Sequence, residues 1–260
     1  MADTLADLID DLAAEQAVLV ALLTPLTDDV WDRASPAEGW TLRDCVAHLA
    51  ETDESAAAIV ENRTVERRGD REGVLTAGQL RARQQSPAEV LAWYRDAASA
   101  LVVALRKVGE SDRITWVGRP MSARSYTTAR LMEHWSHGLD IHDAAGVTPV
   151  DTDRLRHIAH LGYITRDFAY RAHGLTPPET PLYVDLTAPS GAIWKHGPAD
   201  APDRIYGPAG DFCRIVSQRI HPSDTALRCE GPHAYEFLTV AQAFAGPPGS
   251  GRPPRSKPSL

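Results

Sequence analysis

At 260 residues, 43% of them hydrophobic, the chain is long enough for one large or two modest domains and apolar enough to bury a real core. A formal net charge of -8 with no long run of one sign excludes the basic surface that nonspecific nucleic-acid binding requires. No window approaches the roughly eighteen consecutive apolar residues of a membrane helix, and no basic-then-apolar leader opens the chain, so a cytoplasmic location away from membranes is expected.

The first 175 residues repeat one pattern: a capping signal, an apolar stripe at helical spacing, then a Gly or Pro stop. The first helix is expected from Thr4 to Leu23, with Leu5, Leu8, Ile9 and Leu12 on one face and Pro25 behind its end. The second starts at Thr41, where Asp44 three residues on makes a capping box, and turns Leu42, Cys45, Val46 and Leu49 inward. Residues 62–85 are rich in Arg, Glu and Gly and read as a solvated connection with room for one short helix. The third helix opens on Ser86, Pro87 and Glu89 and buries Leu91, Tyr94, Ala98, Leu101 and Leu105. The fourth runs from near Ser125 to Gly146, and the fifth from Thr152 to His173, closed by Gly174.

After "LTPPETP" the period changes from helical to two. "LYVDLT" and "AIWKHG", joined by "PSG", read as a strand hairpin; "DRIYG" and "ALRCEG" read as two further strands. "GDFCRIVSQRI" and "HAYEFLTVAQAFAG" read as helices. The expected organisation is therefore a helical bundle over 1–175, a small α+β domain over 180–246 and a Pro-rich disordered tail over 247–260.

The fourth helix carries the chemistry. In "RLMEHWSHGLDIHDAAG", Glu133 and His137 lie about 40° apart on one face, with Asp140 beside them, while Leu131, Met132, Trp135 and Leu139 take the opposite arc. Such a pair can share one cation, although Glu and His four residues apart are also a common surface pair. A third ligand must come from elsewhere, and His48 in "LRDCVAHLAE" sits at the margin of the second helix's apolar stripe. Two imidazoles, one carboxylate and one open position form the donor set of a catalytic zinc site, and ferrous iron or nickel accepts it too. Cys45 lies three positions before His48 and points toward the apolar stripe, so it reads as core, and the three scattered cysteines offer no sulfur site. His157 and His160 form a rival pair without an acidic neighbour and read as surface or hydrogen-bonded histidines. Trp40 and Trp116 are candidates to wall the cavity.

"PAEGWTLRDCVAHLAE", followed by Glu133 and His137 in "EHWSHGLDIHDAAG", resembles the DinB-like metal-binding four-helix bundle, in the branch of mycothiol-dependent maleylpyruvate isomerase. "GAIWKHG", "YGPAGDFCRIVSQR" and "EGPHAYEFLTVAQAFAG" are similar to that branch's C-terminal domain. The resemblance implies an up-down four-helix core followed by a small α+β domain, and zinc or another divalent transition metal on His48, Glu133 and His137. It further implies mycothiol as thiol cosubstrate and a substrate-assisting arginine, which aligns with Arg219 in "IVSQRI".

The implied partners are a small, carboxylated substrate and a low-molecular-weight thiol, and the chain is expected to be a monomer or homodimer. A thiolate that adds to a double bond, permits rotation and leaves again is an isomerisation catalyst; one that displaces a leaving group and stays performs S-transfer. Arg219, or an arginine of the 62–85 connection, would grip the carboxylate. Two other classes remain open. A zinc hydrolase would use Asp140 or Glu51 as general base, and a noncatalytic metal module would close its site with His134 or Asp140.

Overall fold

The structure, a computed structural model, describes residues 4–63, 75–116, 119–249 and 251–255. It divides into two compact units, Met1–Pro149 and Val150–Leu260.

The first unit is built on four long helices: α1 (Leu5–Leu23), with a short α2 (Asp28–Trp31) after it, α3 (Leu42–Val60), α5 (Pro87–Leu105) and α6 (Ala123–Ala145). A short α4 (Ala77–Ala82) precedes α5, within the connection where one short helix was expected; residues 64–74 of that connection lie outside the described residues. The helix starts follow from capping boxes, predicted from the sequence at Thr41 and Ser86 and present also at Thr4. Thr4, Thr41 and Ser86 each accept from the backbone N–H three residues on, and Asp7, Asp44 and Glu89 reach back to close the box. At the far end of α6, Gly146 takes φ 71, the left-handed conformation that glycine adopts without a Cβ penalty.

Helix α3 packs on α5 and α6, and α1 packs on α6 and α5, which closes a ring of four. Two apolar clusters fill it. One gathers Leu5, Leu8, Leu12, Leu101, Leu105, Tyr126 and Leu131; the other gathers Leu19, Leu23, Trp31, Leu42, Cys45, Val46, Leu49 and Ile141. An antiparallel hairpin of β1 (Arg113–Trp116) and β2 (Arg119–Ser122) leads into α6 and is not visible in the sequence pattern, because its strands of four residues are too short to show a period.

The second unit begins earlier than the division expected at 175–180. The helix expected over Thr152–His173 belongs with the C-terminal elements and is two helices, α7 (Leu155–Ile164) and α8 (Arg166–Ala172). They part at Thr165, whose hydroxyl bonds back to the carbonyls of Leu161 and Gly162 at 2.8 and 3.3 Å while its backbone leaves the helical region. A four-stranded sheet follows in the order β4 (Ile193–His196), β3 (Leu182–Thr187), β5 (Asp203–Pro208), β6 (Arg228–Glu230). The β3–β4 hairpin is the predicted one; β3 and β5 pair in parallel, a long-range register that alternation in sequence does not encode.

Helix α9 (Ala209–Val216) and helix α10 (Ala234–Val240) are both shorter than their apolar patterns predict. Gln218 stops α9 by adopting φ 59, and past α10 the chain extends at Ala241, with Ala243 N–H donating to the Val216 carbonyl at 2.8 Å. Of the tail expected to be disordered, residues 250 and 256–260 lie outside the described residues, and Arg255 N–H donates to Asp224 at 2.8 Å.

Helix α7 lies directly on α9 because position 162 is glycine. A Cβ there would meet Val216 Cγ1 at 2.7 Å and Phe212 at 3.1 Å, both fully buried. Gly162→Ala is therefore expected to destabilise the second unit by about 1–3 kcal/mol through overpacking, read as a lower midpoint in urea.

Candidate metal centre

Adjacent helices α3 and α6 bring the predicted residues together. The capping box fixes the start of α3, and Arg83 clamps its Asp44 with bonds of 2.6 and 3.0 Å, so the first turn before His48 is held from both sides. His48 Nε2 lies 3.8 Å from Glu133 Oε2, and His137 Nε2 lies 3.6 Å from the same oxygen. Ligand atoms of all three fall within 4.8 Å of one another, and among the described residues no fourth His, Cys, Asp or Glu joins this group.

Those separations exceed a hydrogen bond of about 2.7–3.2 Å. They approach the ~3.3 Å expected between two donors at 2.0–2.1 Å from one tetrahedral ion, so the donor set fits a zinc-type cation in both chemistry and spacing.

Trp40 covers the site. Its ring lies 5.0 Å from that of His48 and stacks on that of His137 at 5.7 Å, as expected of a cavity wall. Trp116 does not share this role and packs instead against the cluster around Leu5 and Leu8. The imidazoles are nearly buried, with side-chain exposures of 11 and 14%, whereas Glu133 keeps 28%, which leaves the centre open on the carboxylate side. Burial by itself would raise the Glu133 carboxyl. The facing His48 and His137 imidazoles and the Arg130 guanidinium outweigh it and hold the group well below its ordinary value, so the carboxylate is anionic.

Asp140 stands behind the site, its Oδ2 3.3 Å from His137 Nδ1. This places a carboxylate beside Nδ1 and leaves Nε2 turned toward Glu133. Asp140 is not among the residues whose ligand atoms converge. Glu51 is engaged elsewhere, accepting a short hydrogen bond from Thr76 at the start of α4. His134 is not near the cation position: it is fully buried, with Nε2 2.9 Å from Asp53 and Nδ1 3.1 Å from the Tyr94 hydroxyl. It sits one residue from Glu133, and the 100° step per residue turns it into the bundle interior. Cys45 is buried in the apolar core, 3.4 Å from the Ser35 hydroxyl.

In the second unit, His157 is buried and His160 is exposed beside His196, with ring centroids 5.6 Å apart. Arg219 is not on a helix surface as its sequence context suggests. It follows the turn at Gln218, its N–H bonding back to the Arg214 carbonyl at 2.7 Å and its Nη1 donating to the Ser217 carbonyl at 2.8 Å.

Sequence reasoning missed a polar layer beside the centre. Asp53, fully buried on α3, accepts from Arg130 Nη2 at 2.8 Å, from His134 Nε2 at 2.9 Å and from Gln16 Nε2 at 3.3 Å. The signal was present: Leu49, Asp53, Ala56 and Ala57 recur at helical spacing, which puts an acid on the inward face of α3.

Four helices with a two-histidine, one-carboxylate set between adjacent members define a DinB-like bundle, here followed by an α+β unit. The family model of the mycothiol maleylpyruvate isomerase N-terminal domain matches residues 12–142, and the chain belongs to that enzyme family. Uncharacterized proteins from two Mycobacterium tuberculosis strains, CDC 1551 and H37Rv, are each 42% identical to it over 250 residues, which is 94% of this chain and 97% of theirs. A crystal structure of the mycothiol-dependent maleylpyruvate isomerase aligns with TM-score 0.61 at 17% identity over 88% of this chain and 97% of that one. A histidine-to-alanine mutant of such an isomerase aligns at 0.58 and 16%, over 84 and 90%. At these identities the likeness is one of fold. Among the described residues no helix is long and apolar enough to cross a membrane.

Proposed function

We propose that this protein is a metal-dependent enzyme that uses a low-molecular-weight thiol of the mycothiol type to isomerise a small carboxylated substrate, or to join that thiol to it by displacing a leaving group. The observation that carries the reading is the convergence of His48, Glu133 and His137 under Trp40 within a chain of this family. His48 and His137 offer neutral nitrogen donors, Glu133 offers the anionic one, and Asp140 orients His137. A divalent cation held there supplies the charge that lets an approaching thiol react as its thiolate near neutral pH, where a free thiol of pKa ~8.5 is mostly protonated. Trp40 covers the histidines and Glu133 is the most exposed of the three, so we assign the approach of reactants to the Glu133 side. We assign the substrate carboxylate to Arg219, on the strength of the family resemblance and of the match between a guanidinium fork and a carboxylate.

The hydrolase reading is weaker on one count: it needs a carboxylate base free beside the ion, and Asp140 and Glu51 both have other partners. Cobalt substitution of the full chain separates the readings. Addition of mycothiol is expected to produce a sulfur-to-cobalt charge-transfer band. A cobalt spectrum indifferent to the thiol at saturating concentration would remove the thiol from the function and promote the hydrolase.

A further inference from the structure

The polar layer around Asp53 occupies a particular level of the bundle. On α1, Gln16 falls between Leu12 of one apolar cluster and Leu19 of the other; on α3, Asp53 falls between Ala50 and Ala56; on α6, His134 falls between Leu131 and Ile141. Tyr94 reaches the same level from α5 through its hydroxyl. The other three helices of the ring thus send polar side chains to the single carboxylate of α3 or to its partner histidine. The Asp53 carboxylate and the Tyr94 hydroxyl engage the two ring nitrogens of His134, Nε2 and Nδ1.

Arg130 is the outlying member. It lies one helical turn before Glu133 on α6, and its Nη2 is held by Asp53 Oδ1 at 2.8 Å and by Thr52 Oγ1 at 3.0 Å. The Thr52 hydroxyl in turn donates to the carbonyl of His48, at 2.8 Å. Arg130 is buried, and its Nε has no hydrogen-bond partner. A guanidinium three residues from a metal-binding carboxylate is a competitor for that carboxylate, because a bidentate arginine satisfies the same two oxygens that a cation needs.

We propose that Asp53 is the positioning residue of the metal centre: it anchors Arg130 away from Glu133 and, through Thr52, ties the turn of α3 that carries His48 to the turn of α6 that carries Glu133. Asp53 touches no ligand itself. Its removal frees the arginine to pair with Glu133 and loosens the register in which His48 meets Glu133 and His137.

This inference rests on those three residues holding a cation, so zinc affinity, measured on the full chain by competition with a chromophoric chelator, is the readout. Asp53→Asn is expected to weaken zinc binding by about 10–100-fold, the range seen when outer partners of metal ligands are lost. Adding Arg130→Met to Asp53→Asn removes the competitor and leaves no buried charge unpaired, though it does not restore the tie to Thr52, and is expected to recover part of that loss, at least about threefold. Tyr94→Phe removes a bond of the same layer without touching Arg130; it is expected to lower the thermal midpoint yet leave zinc affinity within about twofold.

If Asp53→Asn does not fold, the near-isosteric Thr52→Val, which deletes one of the two anchors of Arg130, decides, with a loss of about three- to tenfold expected. Folded Asp53→Asn or, failing it, Thr52→Val binding zinc as wild type does would overturn the proposal, as would a Tyr94→Phe loss equal to that of Asp53→Asn or an absence of recovery in the double variant. A wild-type chain that takes up no zinc overturns the metal reading and this one together, a result distinguishable from wild-type uptake with indifferent variants.

Discussion

Replacing His137 by alanine is expected to lower zinc affinity by roughly two to three orders of magnitude, on the scale of about 10–16 kcal/mol for a four-donor zinc site, of which one donor supplies about a quarter. The same is expected of His48→Ala, although the two histidines stand on different helices. The reason is geometric: each imidazole faces the same Glu133 oxygen, at 3.6 and 3.8 Å, and neither helix holds a complete set alone. His160→Ala, in the second unit and beside His196, is the matched control and should leave uptake unchanged. Metal content after dialysis against a weak chelator checks all three. Full retention of one equivalent by both His48→Ala and His137→Ala would show that the cation, if any, is held elsewhere. The fold should survive both substitutions, since neither imidazole belongs to the two apolar clusters that fill the bundle.

Arg130→Met is expected to cost about 3–5 kcal/mol of stability at neutral pH, the largest single effect on folding among the residues near the centre. Asp53 is fully buried, and among the described residues Arg130 is its only partner that carries a permanent charge. Burial alone would raise the Asp53 carboxyl; His134 and Arg130 outweigh it and hold the group below its ordinary value. A carboxyl depressed on folding contributes stability that is fully present above its unfolded value and is lost as pH falls through its folded value. Without Arg130 the burial contribution gains weight and the folded value rises. The deficit of Arg130→Met is thus expected to be full at pH 7 and to shrink toward about pH 4, where the unpaired acid takes up a proton. Urea unfolding of wild type and variant at both pH values measures this. Equal deficits at both would mean that the loss is one of packing by a long side chain and that charge has no part in it.

These two substitutions mark the boundary of what could be read from the chain without coordinates. The capping boxes at Thr41 and Ser86 and the stop at Gly146 were legible because a cap is a local event, settled within four residues of backbone. The pairing of Glu133 with His137 was legible for the same reason, since the pitch of a helix fixes which side chains share a face. The meeting of His48 with that pair was reached through family resemblance, because spacing on one helix carries no information about its neighbour.

What the local code could not supply is also specific. His134 and Asp140 looked interchangeable as extra donors, yet the rotation of α6 against α3 puts one into the bundle core and the other behind His137. The break at Thr165 and the end of α9 at Gln218 went unseen, because an apolar stripe runs through both and the competing side-chain and left-handed turn contacts are worth only about 1 kcal/mol. The parallel register of β3 with β5 and the passage of α7 into the second unit are products of long-range packing, Gly162 against Val216 among them. By itself, then, the sequence determined the four helices, their caps and the acidic face of α6. Only the tertiary structure decided that Asp53 and its partner His134 gather polar side chains from the other three helices of the ring, because a buried charge chooses its partners by three-dimensional proximity and that proximity is not written at any fixed spacing along the chain.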